Sequence, residues 1–236
     1  MNNPNFNTKI DALSLEILAF ISTSPFLPFT IERIKESISK QRDTNYATIY
    51  RKIESLVNQG ILQKSMYGMA SQITLSLGSE KTLSVLSLIE AKKLEKFLNG
   101  LKGVLFTSIN EIIKDIAPLS EIRCVVLFGS YAKGTQTKAS DIDILVVYEP
   151  PSFLAPDLLA LYTEEIPKSV RGILKRSELK GGPKIHPFIV TGADHADMIL
   201  NKEINVAKEA LSHHVLLKGL SEYWREIAGC GHAVKN

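Results

Sequence analysis

The chain lacks the features that mark secreted, membrane-spanning and strongly basic proteins. Its 236 residues include only two cysteines, Cys124 and Cys230, too few for a disulfide framework or a four-cysteine zinc site. No apolar run approaches the roughly 20 residues that cross a bilayer, and no basic segment followed by an apolar one opens the sequence. The 28 lysines and arginines nearly balance 25 acids, and the net charge of +3 excludes a histone-like protein. We therefore expect a cytoplasmic protein with no membrane partner.

What the chain does contain is typical of a globular fold. A hydrophobic content of 44% can fill a core, and 22% charged residues suit a hydrated surface. The length allows one large domain or two small ones. The patterns described below divide it into residues 1–78, residues 79–118 and residues 119–236. Together they predict an α+β protein with a helical connector between its two ends.

The first stretch, residues 1–78, predicts three helices followed by a β-hairpin. Thr44 can cap the third helix, whose apolar stripe includes Tyr46 and Tyr50, and Gly60 follows it as a helix stop. Two short strand-like runs then flank a turn at residues 67–69.

The polar face of the third helix indicates nucleic-acid binding. It carries residue types that reach phosphates and base edges in a major groove, namely Asn45, Thr48, Arg51, Lys52 and Ser55. Three helices and a two-stranded wing resemble the winged helix-turn-helix family of DNA-binding domains. The resemblance implies DNA as a partner, and such domains commonly bind as homodimers on two half-sites. A solvated polar face and a protein-interaction module are the alternatives.

The middle stretch, residues 79–118, predicts two helices or one broken helix. Its apolar side favours packing within the chain over a dimerisation helix, because sustained heptads are absent. Glu90 falls on the charged outer side of this stretch.

Further along the chain, the adjacent His213 and His214 point in different directions on a helix, so we predict surface residues there rather than a metal pair.

Residues 119–236 begin with a buried strand, a glycine turn and a second strand. Gly129 permits a tight turn with close approach of the backbone to a ligand, and Ser130 opens a short helix whose N-terminus can hold phosphate. Strict alternation in the second strand points Asp141 and Asp143 to one face. Two such carboxylates disfavour each other's ionisation unless a cation lies between them. Oxygen-rich pairs suit Mg²⁺, which also bridges nucleotide phosphates.

This spacing resembles the signature of the minimal nucleotidyltransferases of the DNA polymerase β-like superfamily. Gly129-Ser130 is followed, after ten residues, by Asp141-x-Asp143. The resemblance implies a small mixed sheet flanked by helices, with Mg²⁺ held by Asp141 and Asp143. It also implies a nucleoside triphosphate donor contacted by Gly129, Ser130 and Lys133, and transfer of a nucleoside monophosphate to an acceptor hydroxyl. A turn-cap role for the aspartates is the alternative.

The third acidic residue that this resemblance implies is missing. The predicted strand at residues 184–191 presents Lys184 and His186 on one face, and His186 stands where a carboxylate is expected. A neutral imidazole is a poor ligand for Mg²⁺. Asp194 or Asp197 could substitute, and His186 could equally have no role.

Two functions therefore stay open at the level of the sequence. The first is a nucleotidyltransferase coupled to a winged-helix DNA-binding module. The second is a DNA-binding transcriptional regulator or antitoxin-like protein, whose degenerate nucleotidyltransferase domain only senses nucleotide or dimerises.

Overall fold

The computed structural model describes residues 10–68, 70–151, 155–179 and 181–233. The chain divides into two compact units at Leu86/Ser87. The first elements are α1 (Ala12–Ser22), α2 (Ile31–Ser39), α3 (Tyr46–Asn58), β1 (Leu62–Tyr67), β2 (Ala70–Leu75) and α4 (Glu80–Gly100). They are followed by α5 (Gly103–Ile116), β3 (Ile122–Phe128), α6 (Gly129–Lys133), β4 (Ile142–Tyr148), α7 (Pro156–Leu179), β5 (Ile185–Thr191), α8 (Gly192–Leu200), α9 (Val206–Ser212), β6 (Val215–Lys218) and α10 (Leu220–Ala233).

The N-terminal unit contains three helices and an antiparallel hairpin, β1–β2. Met69, in the predicted hairpin turn, lies outside the described residues. Asn45 caps α3, because its Oδ1 accepts a hydrogen bond from the Thr48 amide at 2.9 Å. The expectation that Thr44 caps this helix is therefore wrong by one residue. An asparagine side chain satisfies the free amides of a first helical turn equally well.

The expected apolar stripe of α3 is narrower than predicted. Ile49, Ile53 and Leu56 are fully buried, whereas Tyr46 and Tyr50 are 44% and 39% exposed. The two tyrosine rings stack on each other with centroids 6.3 Å apart. Three residues at helical spacing already fill the buried face of this short helix, so the tyrosines lie on the surface.

The C-terminal unit is built on a four-stranded sheet of order β5-β4-β3-β6. The β4–β5 pair is parallel, and the β3–β4 and β3–β6 pairs are antiparallel. Helices α5 and α7 contribute to the core on one face, and α8, α9 and α10 contact the sheet strands as well. This is the small mixed sheet with flanking helices that the nucleotidyltransferase resemblance implies.

Strand position explains the residue patterns of this sheet. The central strands β3 and β4 are buried almost throughout, which suits their continuous apolar runs. β5 lies at one edge of this sheet. A proline such as Pro187 is tolerated there, because the amide hydrogen that it lacks is not needed to pair with a further strand of the sheet. Register aligns Phe128 of β3, Asp143 of β4 and His186 of β5 in one row across the sheet.

A buried ionic cluster in this unit corrects two predictions of surface residues. Glu90 is fully buried, and its Oε1 accepts a hydrogen bond from Lys93 Nζ at 2.8 Å. His214 is also buried, with Nε2 at 3.3 Å from Glu90 Oε2 and Nδ1 at 2.8 Å from the Ala210 carbonyl. Burial opposes ionisation of Glu90, but the charges of His214 and Lys93 outweigh it and lower the pKa of this carboxyl. Both residues were predicted at the surface because the pairing of Glu90 with His214 joins positions far apart in sequence.

None of the helices in the described part of the chain is both long and apolar enough to cross a membrane.

Candidate active site

The turn between β3 and α6 brings a glycine backbone against a carboxylate. Gly129 has φ +69°, and a β-carbon added there would overlap the Oδ2 of Asp143. The contact follows from the β3–β4 register, in which Phe128 lies opposite Asp143. A side chain at position 129 is therefore disfavoured twice, by the left-handed backbone and by the carboxylate.

Helix α6 is a single short segment between two glycines. It begins at Gly129 and is followed by Gly134, which has φ +70° and ends the helix in the left-handed conformation. Ser130 is half-buried at its first turn, and Lys133 is its last residue. The predicted phosphate-binding residues thus lie on one turn of helix, whose first residue lies against Asp143.

The two aspartates lie together at the start of β4, as the alternation predicts. Both are partly exposed, Asp143 slightly less so than Asp141. Burial raises the pKa of Asp143; His186 opposes that shift, and the charges of Glu209 and Asp141 add to it. A cation between the two carboxylates would relieve this repulsion.

Strand β5 places two basic side chains opposite these acids. Lys184 Nζ lies 3.6 Å from Asp141 Oδ2, and His186 Nδ1 lies 3.8 Å from Asp143 Oδ1. The parallel pairing is fixed at this end by a hydrogen bond from the Ile142 amide to the Lys184 carbonyl, at 2.8 Å. His186 therefore does lie beside Asp143.

The two proposed substitutes for the third acid lie on the helix that follows β5. Asp194 and Asp197 lie on α8, which begins after Thr191, whereas His186 is at the start of β5. Thr191 caps that helix: its Oγ1 accepts a hydrogen bond from the Asp194 amide at 3.1 Å and donates one to Asp194 Oδ2 at 2.7 Å. Five residues of extended strand, about 16 Å, separate His186 from Thr191, so the bond to Thr191 keeps Asp194 away from His186. A role for Asp197 stays a prediction.

One acidic residue of the site escaped the sequence analysis. Lys133 Nζ donates a hydrogen bond to Glu209 Oε1 at 2.9 Å, which links the end of α6 to α9. Nothing in the local sequence marks Glu209, because it is one acid in the first turn of an ordinary short helix. Only the packing of α9 on β3 and β4 brings it near Asp143.

The polar residues predicted to contact DNA share one helix but are largely engaged within the protein. Asn45 is the cap of α3, and Lys52 forms an ion pair with Asp11. That pair lowers the pKa of Asp11 to about 2, with the lysine hydrogen bond as the main cause. Arg51 Nε donates to the Ala47 carbonyl at 3.2 Å. Thr48 and Ser55 lie on the same helix, and Ser55 Oγ accepts a bond from Gln59 at 3.1 Å.

Known proteins resemble the part of the chain that holds the aspartates. Residues 107–215 match the family described as nucleotidyltransferase domain. A candidate protein adenylyltransferase of Methanocaldococcus jannaschii, MJ1215, is 38% identical over 65 residues, which are 25% of this chain and 76% of the relative. A second from the same organism, MJ1379, is 39% identical over 74 residues, or 30% of this chain and 70% of the relative.

The chain belongs to the nucleotidyltransferase domain family. The matched segment includes every member of the site described above, from the glycine turn to Glu209. The N-terminal unit lies outside it, so its winged-helix assignment stays a prediction, as does the three-part division of the chain.

The nucleotidyltransferase site has the donors that suit a magnesium–nucleotide complex. Across the described ranges, no three side chains of His, Cys, Asp or Glu lie close enough together to hold a metal ion unaided. Mg²⁺, however, commonly binds through one or two carboxylates, several waters and the phosphates of its nucleotide. Asp141 and Asp143 supply such carboxylates, beside a helix N-terminus that suits phosphate.

Proposed function

We propose that the C-terminal unit transfers a nucleoside monophosphate, with Mg²⁺, from a nucleoside triphosphate to an acceptor hydroxyl. The contact between the Gly129 backbone and the Asp143 carboxylate carries the proposal. It joins the start of α6, where phosphate would bind, to the pair of acids. The names of the relatives, protein adenylyltransferases, support AMP as the group transferred and a protein hydroxyl as the acceptor.

The aspartates and the residues of α6 contribute to this reaction in different ways. Asp141 and Asp143 would hold Mg²⁺, which stabilises the charge of the attacking and leaving oxygens. Ser130 and the first amides of α6 bind phosphate oxygens, and Lys133 neutralises further phosphate charge. The acceptor hydroxyl oxygen forms a bond to the α-phosphorus and gives up its proton to solvent, the bond from that phosphorus to the bridging oxygen breaks, and pyrophosphate leaves. Lys184 and His186 lie beside these two acids, at the start of β5.

Radioactive labelling tests this activity. The full chain, with Mg²⁺ and ATP labelled at the α-phosphate, is expected to label itself or a protein in a cell extract, whereas γ-labelled ATP is not. Asp141→Ala should reduce the labelling at least about 100-fold, a loss of about 3 kcal/mol in transition-state stabilisation. Glu203→Gln, which removes an exposed acid preceding α9, is the matched control. Undiminished labelling by Asp141→Ala would refute the assignment of the site.

For the N-terminal unit we propose DNA binding through α3, with two copies of the chain on two half-sites. Thr48, Arg51 and Ser55 are the residues to contact DNA, together with Lys52 once it leaves Asp11. Asn45 acts mainly through the helix it caps. Gel shifts with random-sequence selection test this, and Arg51→Ala is expected to weaken the complex about tenfold, in line with about 1–3 kcal/mol for a specific contact. Equal binding by wild type and variant would exclude α3 as the interface.

A second candidate function is a regulator that senses nucleotide without transferring it. The positions of Lys184 beside Asp141 and of His186 beside Asp143 favour it, because a basic side chain stands opposite each of the two acids. Sensing requires that nucleotide bind the DNA-free and DNA-bound chains unequally. Gel-shift titrations with and without ATP measure this coupling, and identical midpoints would exclude it.

A further inference from the structure

The two aspartates of the nucleotidyltransferase site have basic side chains, and no acid, opposite them on β5. Asp141 and Asp143 have a lysine and a histidine opposite them on β5, where the resemblance implies a carboxylate. Without a further acid, the site would have only two negative charges with which to attract a divalent cation. The acids described near β5 are engaged elsewhere: Glu178 accepts a hydrogen bond from the Ile185 amide and pairs with Lys175. Asp194 bonds to Thr191 at the other end of the strand.

Glu209 approaches the same acids from α9 rather than from β5. Its carboxylate is 2.9 Å from Lys133 Nζ, at the end of a five-residue helix whose first residue touches Asp143. Five helical residues span only about 7 Å. Helix α9 also contacts both β3 and β4, the strands that carry Phe128 and Asp143. The electrostatic influence of Glu209 on Asp143 agrees with this placement.

We propose that Glu209 supplies the third negative charge of the nucleotidyltransferase site, in place of the carboxylate expected at position 186. The inference rests on the proposed function. Mg²⁺ retains several waters when it binds through one or two carboxylates and phosphates, so Glu209 acts through that hydration shell. Lys133 holds the Glu209 side chain in the free protein and turns to phosphate when nucleotide binds. Glu209 is thus a positioning residue for the cation.

Nucleotide affinity with and without metal tests the proposal independently of turnover. The probe is adenosine 5′-(α,β-methylene)triphosphate, whose α–β bridge cannot be cleaved, and its Kd is measured by calorimetry with and without Mn²⁺. Glu209→Gln is expected to raise the Kd in Mn²⁺ about tenfold, the lower end of the effect of outer-shell partners on metal sites. Glu209→Asp keeps the charge and should recover most of the affinity. Glu203→Gln is the charge-matched control.

The possible outcomes separate this inference from the proposed function. If Asp141→Asn weakens binding in Mn²⁺ but Glu209→Gln does not, Glu209 has no part in the site and only this inference fails. If Glu209→Gln tightens binding equally with and without Mn²⁺, Glu209 merely competes with phosphate for Lys133, which also overturns it. If Asp141→Asn has no effect on binding in Mn²⁺, the proposed function itself fails. Melting temperatures close to wild type show that each variant is folded.

Discussion

Polar residues chosen from the sequence behave differently in the two units. On α3 of the N-terminal unit, Asn45 and Lys52 bond within their own unit, as a helix cap and as the partner of Asp11. In the C-terminal unit, Gly129 at the turn after β3 comes into contact with Asp143 on β4. Polar residues on one face of a helix are compatible with many roles. Residues that are separated in the sequence but brought together by the fold are a stronger indication of a site. The predictions below probe this difference, from the largest expected effect to the smallest.

Replacement of Gly129 should have the largest effect. Gly129→Ala places a β-carbon on Asp143 Oδ2 and forces a left-handed backbone on alanine, so we expect a loss of about 4 kcal/mol in unfolding free energy from strain and overpacking together. Gly134→Ala is the matched control, because position 134 has a similar φ but open space around it. It should cost only about 1 kcal/mol. Urea unfolding measures both, and equal losses would show that the carboxylate contact does not matter.

Neutralising the buried cluster should come next. Glu90→Gln leaves the charges of His214 and Lys93 without their shared carboxylate, and we expect a loss of about 3 kcal/mol at pH 7. The exposed Glu95→Gln on the same helix should change stability by less than about 0.5 kcal/mol. Urea unfolding at pH 7 distinguishes the two variants.

The same carboxyl predicts a pH dependence of stability. The pKa of Glu90 is lower in the folded chain than its ordinary value of 4.5. The ionised group therefore stabilises the fold fully above that value, and the contribution is lost as the pH falls through the lower folded pKa. Wild type should lose more stability than Glu90→Gln between pH 5 and more acidic conditions. Parallel pH profiles would contradict the buried ionised state.

In the N-terminal unit, removal of the α3 cap should have a moderate effect. Asn45→Ala deletes the acceptor of the Thr48 amide, which should cost about 1 kcal/mol, whereas Asn45→Asp keeps an acceptor and should cost little. Urea unfolding measures stability, and gel shifts of the same variants measure DNA binding. If Asn45→Asp keeps stability but loses DNA affinity, the added negative charge at position 45 lies close enough to DNA to repel its phosphates.

The ion pair of Asp11 and Lys52 should have the smallest effect. The side chains of Lys52 and Asp11 are 34% and 44% exposed, so solvent screens their attraction and Asp11→Asn should cost less than about 1 kcal/mol. The pKa of Asp11 is lowered to about 2, so this small contribution fades as the pH falls from about 4 toward 2. Salt should reduce it further. A loss above about 2 kcal/mol would contradict a weak surface ion pair, because asparagine keeps the oxygen that accepts a bond from the Ser14 amide at the start of α1.

The sequence predicted those parts of the molecule that depend on neighbours along the chain. Alternation in β4 correctly placed Asp141 and Asp143 together, and the glycine turn was evident from one short segment. The parts that depend on packing were missed. Glu90 and His214 were assigned to the surface because only the fold reveals their pairing. Glu209 gave no signal at all, since no local pattern reports that α9 lies against β4.

The position of His186 allows its side chain to be exchanged for one of different chemistry with little loss of stability. It lies on the outermost strand of the sheet, its side chain is 58% exposed, and yet it is in register with Asp143. Exchange of such a residue disturbs no interior packing and typically alters stability by no more than about 0.5 kcal/mol. An imidazole, a carboxylate or an amide can therefore stand beside Asp143 on an unchanged scaffold, so His186→Asp is a simple way to place an acid at the position where the resemblance implies one.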